Sequence, residues 1–461
     1  MNKTNTHTPT PINYHVQQAI EQMVTKLPKG TDLGLCDVIS ALYSGYFVET
    51  GGSIMPAVDQ YLSAQIVDEK ERAARSRRAA KAITYGQYNL NELLEELITI
   101  VQQSGAWQPT IIQGYHLKPV DMTSYKRAAV KTLKSKSYDS TAQRAVAGVP
   151  FGMMGTTGEV NGQRMALLEL LVCGDTTQNK PAEEMKRMYQ QVAKTLTAND
   201  LAIFDAGFSL IDAVVEGVEQ CVVRLATNCT FGKTPGKIPA RTSAKGPAPS
   251  RHQAEIVRPL ARTHGEKELE ASPPDETFTY VDETGAEIRI DIWQRIYFLE
   301  RHLDRVADEA HKKKLRQQPL KVVAIHHPDF DDPLLLGTPI LTLEPPSLAA
   351  IYPQRWPIEG IPQTGKYMLS GGGGRHYVHH PTALTRLPAL TMIFGTLFKF
   401  LAAVSPPFRT GFWDRAAKPT YGRLMRYLKK VGLPLSDQLS KKHSKTDHLP
   451  VGYEAIRLAR T

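Results

Sequence analysis

The sequence predicts an α/β core flanked by helical regions, and three observations carry that expectation. Apolar residues recur at the helical period through the first hundred residues, and from residue 110 short apolar runs alternate with helical patterns. With 461 residues, 41% hydrophobic and 22% charged, the chain is globular and long enough for more than one domain.

Taken in order, Val16, Ile20, Met23 and Leu27, then Leu90, Leu93, Leu94, Leu97 and Val101, follow one helical face, so residues 1–108 read as a helical N-terminal domain. Between them lies a basic helical stretch from Lys70 to Lys81. It suits a solvated face and a DNA-backbone contact equally well. Met165 to Cys173 is nearly continuous in apolar residues, as a strand buried on both faces requires. A helix with Met185, Met188, Tyr189, Val192 and Leu196 on one face leads to the short strand Leu201 to Phe204, which ends at Asp205. A further helix, Leu210 to Val218, leads to the strand Cys221 to Ala226; this is a sheet with crossover helices, and 109–228 is the first part of the core.

Residues 229–275 are rich in Pro, Gly, Ser, Lys and Arg and read as a mobile loop. Beyond them Phe278 to Ile292 alternates like a hairpin around Glu283-Thr-Gly285, with further strands at Lys321 to Ile325 and Leu334 to Leu343. Residues 229–345 are therefore expected to be a mainly β insertion, 346–404 the rest of the core, and 405–461 a helical C-terminal region.

Fifty-six Lys and Arg against 46 Asp and Glu give a net charge of +10, which favours a polyanionic partner through counterion release. Four Cys without CxxC spacing indicate neither a zinc ribbon nor a disulfide framework. The first residues lack a signal-peptide core, and the best candidate for a membrane span, Leu390 to Val404, is short and broken by Lys399. A cytoplasmic protein with no membrane partner is expected.

The most informative segment is Tyr352-Pro-Gln-Arg355-Trp-Pro-Ile-Glu359-Gly-Ile-Pro-Gln-Thr-Gly-Lys366, which spells Tyr-x2-Arg-x3-Glu-x6-Lys. On an α-helix these four residues lie close to one face, where a carboxylate could meet a metal and two cations could meet phosphates. Pro353, Pro357 and Pro362 interrupt that helix. Asp205-Ala-Gly-Phe208 follows an apolar strand, and Asp121-Met-Thr123 stands further back.

In these segments the chain resembles bacterial insertion-sequence transposases of the DDE type, in the group with the Tyr-Arg-Glu-Lys signature. The order Asp, Asp, Glu and the long interval before the third acid match that family. The resemblance implies a ribonuclease H-like catalytic core interrupted by the insertion, with Asp121, Asp205 and Glu359 as catalytic residues and metal ligands. It implies that Tyr352, Arg355 and Lys366 bind DNA, and that the chain works as a homodimer or higher assembly on paired transposon ends, in a bacterial cytoplasm and at the nucleoid when bound.

Three carboxylates brought together need a compensating cation, and oxygen-only ligation suits Mg2+ or Mn2+; a two-ion site cuts and joins phosphodiesters by in-line displacement. Two other readings stand beside this one: a catalytically inactive, transposase-derived DNA-binding protein, and a related metal-dependent nuclease. Lesser signals read as structural. Gly371 to Gly374 with Arg375, His376, Tyr377, His379 and His380 reads as a loop with incidental histidines, and Trp293 reads as a core residue rather than a base-stacking one. Phe231-Gly-Lys-Thr234 lacks the first glycine of a P-loop.

Overall fold

The computed structural model describes residues 11–127, 130–139, 143–236, 255–264, 267–304, 306–372, 374, 376–409 and 416–436. The chain opens with helices α1 (Ile12–Val24), α2 (Thr31–Tyr43), α3 (Tyr46–Glu49), α4 (Ile54–Ser63), α5 (Glu69–Tyr85) and α6 (Leu90–Gln103). Strands β1 (Trp107–Pro109), β2 (Ile111–Ile112), β3 (Tyr115–Lys126), β4 (Lys136–Asp139), β5 (Arg144–Val160) and β6 (Gln163–Cys173) follow. Then come α7 (Pro181–Thr195), β7 (Asp200–Phe204), α8 (Leu210–Val215) and β8 (Cys221–Arg224). The short strands β9 (Phe231–Gly232), β10 (Ile256–Val257), β11 (Arg262–His264) and β12 (Lys267–Leu269) precede β13 (Glu276–Val281) and β14 (Glu287–Ile296). After α9 (Glu300–Leu303) and α10 (Glu309–Gln317) come β15 (Leu320–His326), β16 (Leu334–Thr338) and α11 (Pro345–Ile351). A 3-10 helix, Tyr352–Glu359, runs into α12 (Gly360–Ser370), and α13 (Pro381–Val404) and α14 (Tyr421–Val431) close the described chain.

Contacts divide this mixed α/β chain into two compact units, with boundaries after Pro109, Asp121, Lys180 and Trp356. In the first unit β5 pairs antiparallel with β1, β4 and β6, and the second half of β3 adjoins it, Arg127 N–H donating to the Ala147 carbonyl at 2.7 Å. One apolar core joins α1, α2, α4 and α6 to β5, β6, α12, α13 and α14, through side chains such as Ile20, Leu42, Leu97, Phe151, Leu167, Met368, Phe398 and Leu428. The helices expected as a separate domain over 1–108 therefore share a core with residues 358–435. The reason is α13, which is apolar all round and must be covered on every side. Among the described residues it is the one helix long and apolar enough to cross a membrane, and 94% of that stretch is buried inside the protein.

The basic stretch divides between two roles on α5. Arg75 is buried and bonds the buried Asp37 carboxylate through two nitrogens, at 2.6 and 3.1 Å, while Arg77, Arg78 and Lys81 are exposed.

In the second unit the first half of β3 pairs parallel with β7, and β7 pairs parallel with β8 across the α8 crossover. The sheet continues antiparallel through β16, β15, β14 and β13. Residues 276–338, expected within an insertion, thus extend the sheet of β7 and β8, and Leu117, Leu201, Ile203, Val222, Ile290, Val323 and Leu336 form one core. The expected hairpin is present, its turn held by the Asp282 carboxylate accepting the N–H groups of Thr284 and Ala286, with Gly285 at φ +87°. Trp293 is a core residue, 2% exposed, with its indole N–H on the Pro273 carbonyl. Much of the expected loop (237–254, 265–266), the end of the C-terminal region (437–461) and Arg375 lie outside the described residues.

Candidate active site

Asp121 and Asp205 owe their positions to neighbouring parallel strands. The register pairs His116 with Asp200, Leu117 with Leu201, Lys118 with Ala202 and Pro119 with Ile203. The pairing ends two residues before Asp121, which lies within β3, and before Asp205, which directly follows β7. Side chains alternate along a strand, so Asp121 shares the β3 face of Leu117, which is fully buried in one core with Leu201 and Ile203. Both acids are half-buried, and one Asp205 oxygen accepts the Gly207 N–H at 2.6 Å, which fixes the carboxylate where β7 turns toward α8.

The signature segment differs from the helical expectation. Tyr352–Glu359 forms a 3-10 helix with Pro357 inside it. Proline removes the N–H that an α-helical bond would use, and the chain tightens to three residues per turn. Positions three apart then share a face. Tyr352, Arg355 and Ile358 are each buried, whereas Trp356 is 56% exposed.

Tyr352 packs into the core of the second unit, and its buried hydroxyl has no hydrogen-bond partner among the described residues. Arg355, 3% exposed, brings Nη1 within 3.8 Å of Asp205 Oδ2, and its guanidinium lies 4.8 Å from the Trp356 ring centre. Arg355 thus faces an acid of the candidate site rather than solvent. Trp356 carried no separate signal in the sequence, but its place beside the signature arginine was readable once that arginine was singled out.

The unit boundary after Trp356 cuts the signature, so Glu359 and Lys366 belong to the first unit. Glu359 ends the 3-10 helix, half-buried, directly ahead of α12. Lys366, on α12, donates from Nζ to Thr123 Oγ1 at 2.9 Å and lies 5.3 Å from the Tyr125 ring centre. The Asp-Met-Thr segment and the signature lysine, 243 residues apart, meet through that bond. Sequence spacing held no hint of it. Among the described residues no group of three or more His, Cys, Asp and Glu side chains lies close enough to hold a metal ion.

No family model matches the chain, and no curated protein matches it significantly.

Proposed function

We propose that this protein is a DNA transposase of the DDE type, with a ribonuclease H-like core whose site residues are Asp121, Asp205 and Glu359. The observation that supports the reading is the parallel register of β3 and β7, which runs from His116–Asp200 to Pro119–Ile203, two residues short of Asp121 and of Asp205. Strand connectivity supports it. An antiparallel β5–β6 pair is followed by α7, by β7 beside β3, by α8, and by β8 parallel to β7, the order expected of such a core.

Adjacent carboxylates repel unless a cation offsets them, and oxygen-only donors fit a hard divalent ion. Asp121 and Asp205 would hold Mg2+ or Mn2+ with Glu359 as the third acid. Bound there, two such ions activate an attacking water or 3′-hydroxyl and stabilise the leaving oxygen. The protein's own groups orient the acids. The Gly207 N–H fixes one Asp205 oxygen and Arg355 faces the other, while Thr123 anchors the Lys366 ammonium that would meet a DNA phosphate. The reading includes a homodimer or higher assembly on paired double-stranded ends.

The test is cleavage and joining of the ends of the protein's own element with magnesium. Cleaved ends and strand-transfer products are expected from the native chain, and Asp121→Asn, Asp205→Asn and Glu359→Gln should each lose both while still binding DNA. Magnesium-dependent cleavage that survives Asp205→Asn refutes the assignment. Cleavage without joined products makes the protein a nuclease instead.

A further inference from the structure

A single charge interrupts the most apolar stretch of the first unit. From Leu387 to Val404 every residue of α13 is buried except Lys399, and Lys399 is the one ionisable side chain in that stretch. Phe398 and Phe400 on either side are fully buried, so the lysine stem starts from the core and carries its ammonium outward. Burial lowers its pKa from the ordinary lysine value, and no carboxylate of the described residues offsets that cost. Nor does Lys399 make a hydrogen bond or ion pair among the described residues. A leucine or methionine would fill the same slot without desolvating an unpaired cation, so packing does not account for the charge.

The ammonium has a defined place against α12. The two helices meet at glycines: a Cβ on Gly395 would come within 3.4 Å of the Gly365 nitrogen, and one on Gly365 within 3.1 Å of the Thr391 backbone. Toward the start of α12, a Cβ on Gly360 would come within 2.5 Å of Lys399 Nζ. Only a residue without a side chain leaves room for the ammonium where it stands. Gly360 directly follows Glu359, so α13 delivers a positive charge to the backbone next to the third proposed acid. In the sequence Lys399 stands out only as a break in an apolar run; its approach to the signature depends on how α12 and α13 pack.

We propose that Lys399 is a DNA-contacting residue of the active site, its ammonium donating to a non-bridging phosphate oxygen of the strand that lies at Glu359. The inference deepens the transposase reading and rests on it for the identity of the ligand. An ammonium is a compact point charge that suits a phosphate oxygen. Carried on a stem that starts in the core, it has little rotamer freedom left to lose when DNA arrives. Lys366 already spends a donor on Thr123, whereas the three N–H donors of Lys399 are unused among the described residues. A phosphate there supplies the partner that the protein alone does not.

Equilibrium binding of the full-length protein across a salt series tests the contact, with a duplex carrying the element's end and an unrelated duplex of equal length. Lys399→Met keeps the stem and removes the charge. The slope of log affinity against log salt should then fall by about 0.9 on both duplexes, because a phosphate contact is blind to sequence. The urea midpoint should hold or rise, since an unpaired cation has left the core. Gly360→Ala keeps the charge but displaces the ammonium, the far end of a flexible side chain. Affinity should fall severalfold in the native background and no further in Lys399→Met. An unchanged slope in Lys399→Met, or an equal Gly360→Ala loss in both backgrounds, overturns the proposal. Should Lys399→Met not fold, native affinity in Gly360→Ala overturns it alone. Binding is read without magnesium, so a chain that binds with the expected slopes but never cleaves defeats the transposase reading and not the contact.

Discussion

At the scale of single residues, Arg355 and His376 make opposite demands on their surroundings. Arg355 is a buried cation facing Asp205, so its first effect is on the carboxylate and not on DNA in solvent. Arg355→Ala leaves Asp205 without that partner and is expected to lower stability by roughly 1–3 kcal/mol, read by urea unfolding. Cleavage should fall with it, but the salt dependence of DNA binding should stay as it is. His376 is a buried base, held at about 4 against an ordinary 6.5 by burial and then by Arg127. Its folded-state pKa is the lower one, so the unfolded chain binds the extra proton between those values. Stability is therefore complete above about pH 6.5 and declines as pH falls toward 4. The loss by pH 5 should be about 2 kcal/mol from this group. A His376→Asn variant compared with the native protein at pH 7.5 and 5 checks it: the native chain should lose more on acidification, and equal losses would count against the buried-neutral assignment.

At the scale of elements, the strand least legible in the sequence is the longest, β5. Its run of Gly148, Gly152, Gly155 and Gly158 resembles loop chemistry, yet in the sheet Gly148, Gly155 and Gly158 admit close neighbours. A Cβ on Gly155 would come within 2.4 Å of the Leu167 carbonyl oxygen, at the register shift between Met154 and Gly155; one on Gly158 would meet the Gln108 carbonyl and the Trp107 ring. Backbone does not yield as a side-chain tip does. Gly155→Ala should thus cost about 2 kcal/mol, with a lowered melting temperature, whereas Ala at the open Gly162 turn meets only its positive φ. By contrast β6, β7, β8 and the β13–β14 hairpin were readable, because apolar runs and a Glu-Thr-Gly turn report strand and turn directly. The signature was legible as residue types but not as geometry. Its proline content was visible, but the tighter 3-10 winding that buries Tyr352 with Arg355 and exposes Trp356 depends on which bonds the prolines remove. Asp121 and Asp205 were legible singly; the parallel pairing of β3 with β7, the strands that lead to them, is a register that no single-sequence pattern encodes.

At the scale of the whole molecule, the net charge of +10 is the quantity that a polyanion would sense, but part of the basic content is committed internally. Arg75 bonds Asp37, Arg316 bonds Glu300, and Lys321 donates to the Leu343 carbonyl, so none of these releases a counterion on binding DNA. The exposed contributors include Arg77, Arg78 and Lys81 on α5. Each cation that meets a phosphate adds about 0.9 to the slope of log affinity against log salt on duplex DNA. If α5 is a backbone-contacting face, changing Arg77, Arg78 and Lys81 together to Gln should lower that slope by roughly two to three units on any duplex sequence. Lys366→Ala should lower it by about one, and Arg355→Ala by none. All three α5 side chains are exposed, so the triple variant should keep its fold, which circular dichroism would verify. A solvated α5 face gives an unchanged slope in the triple variant. That result would move the DNA-binding surface off α5 while leaving Asp121, Asp205 and the magnesium assay to be judged on their own terms.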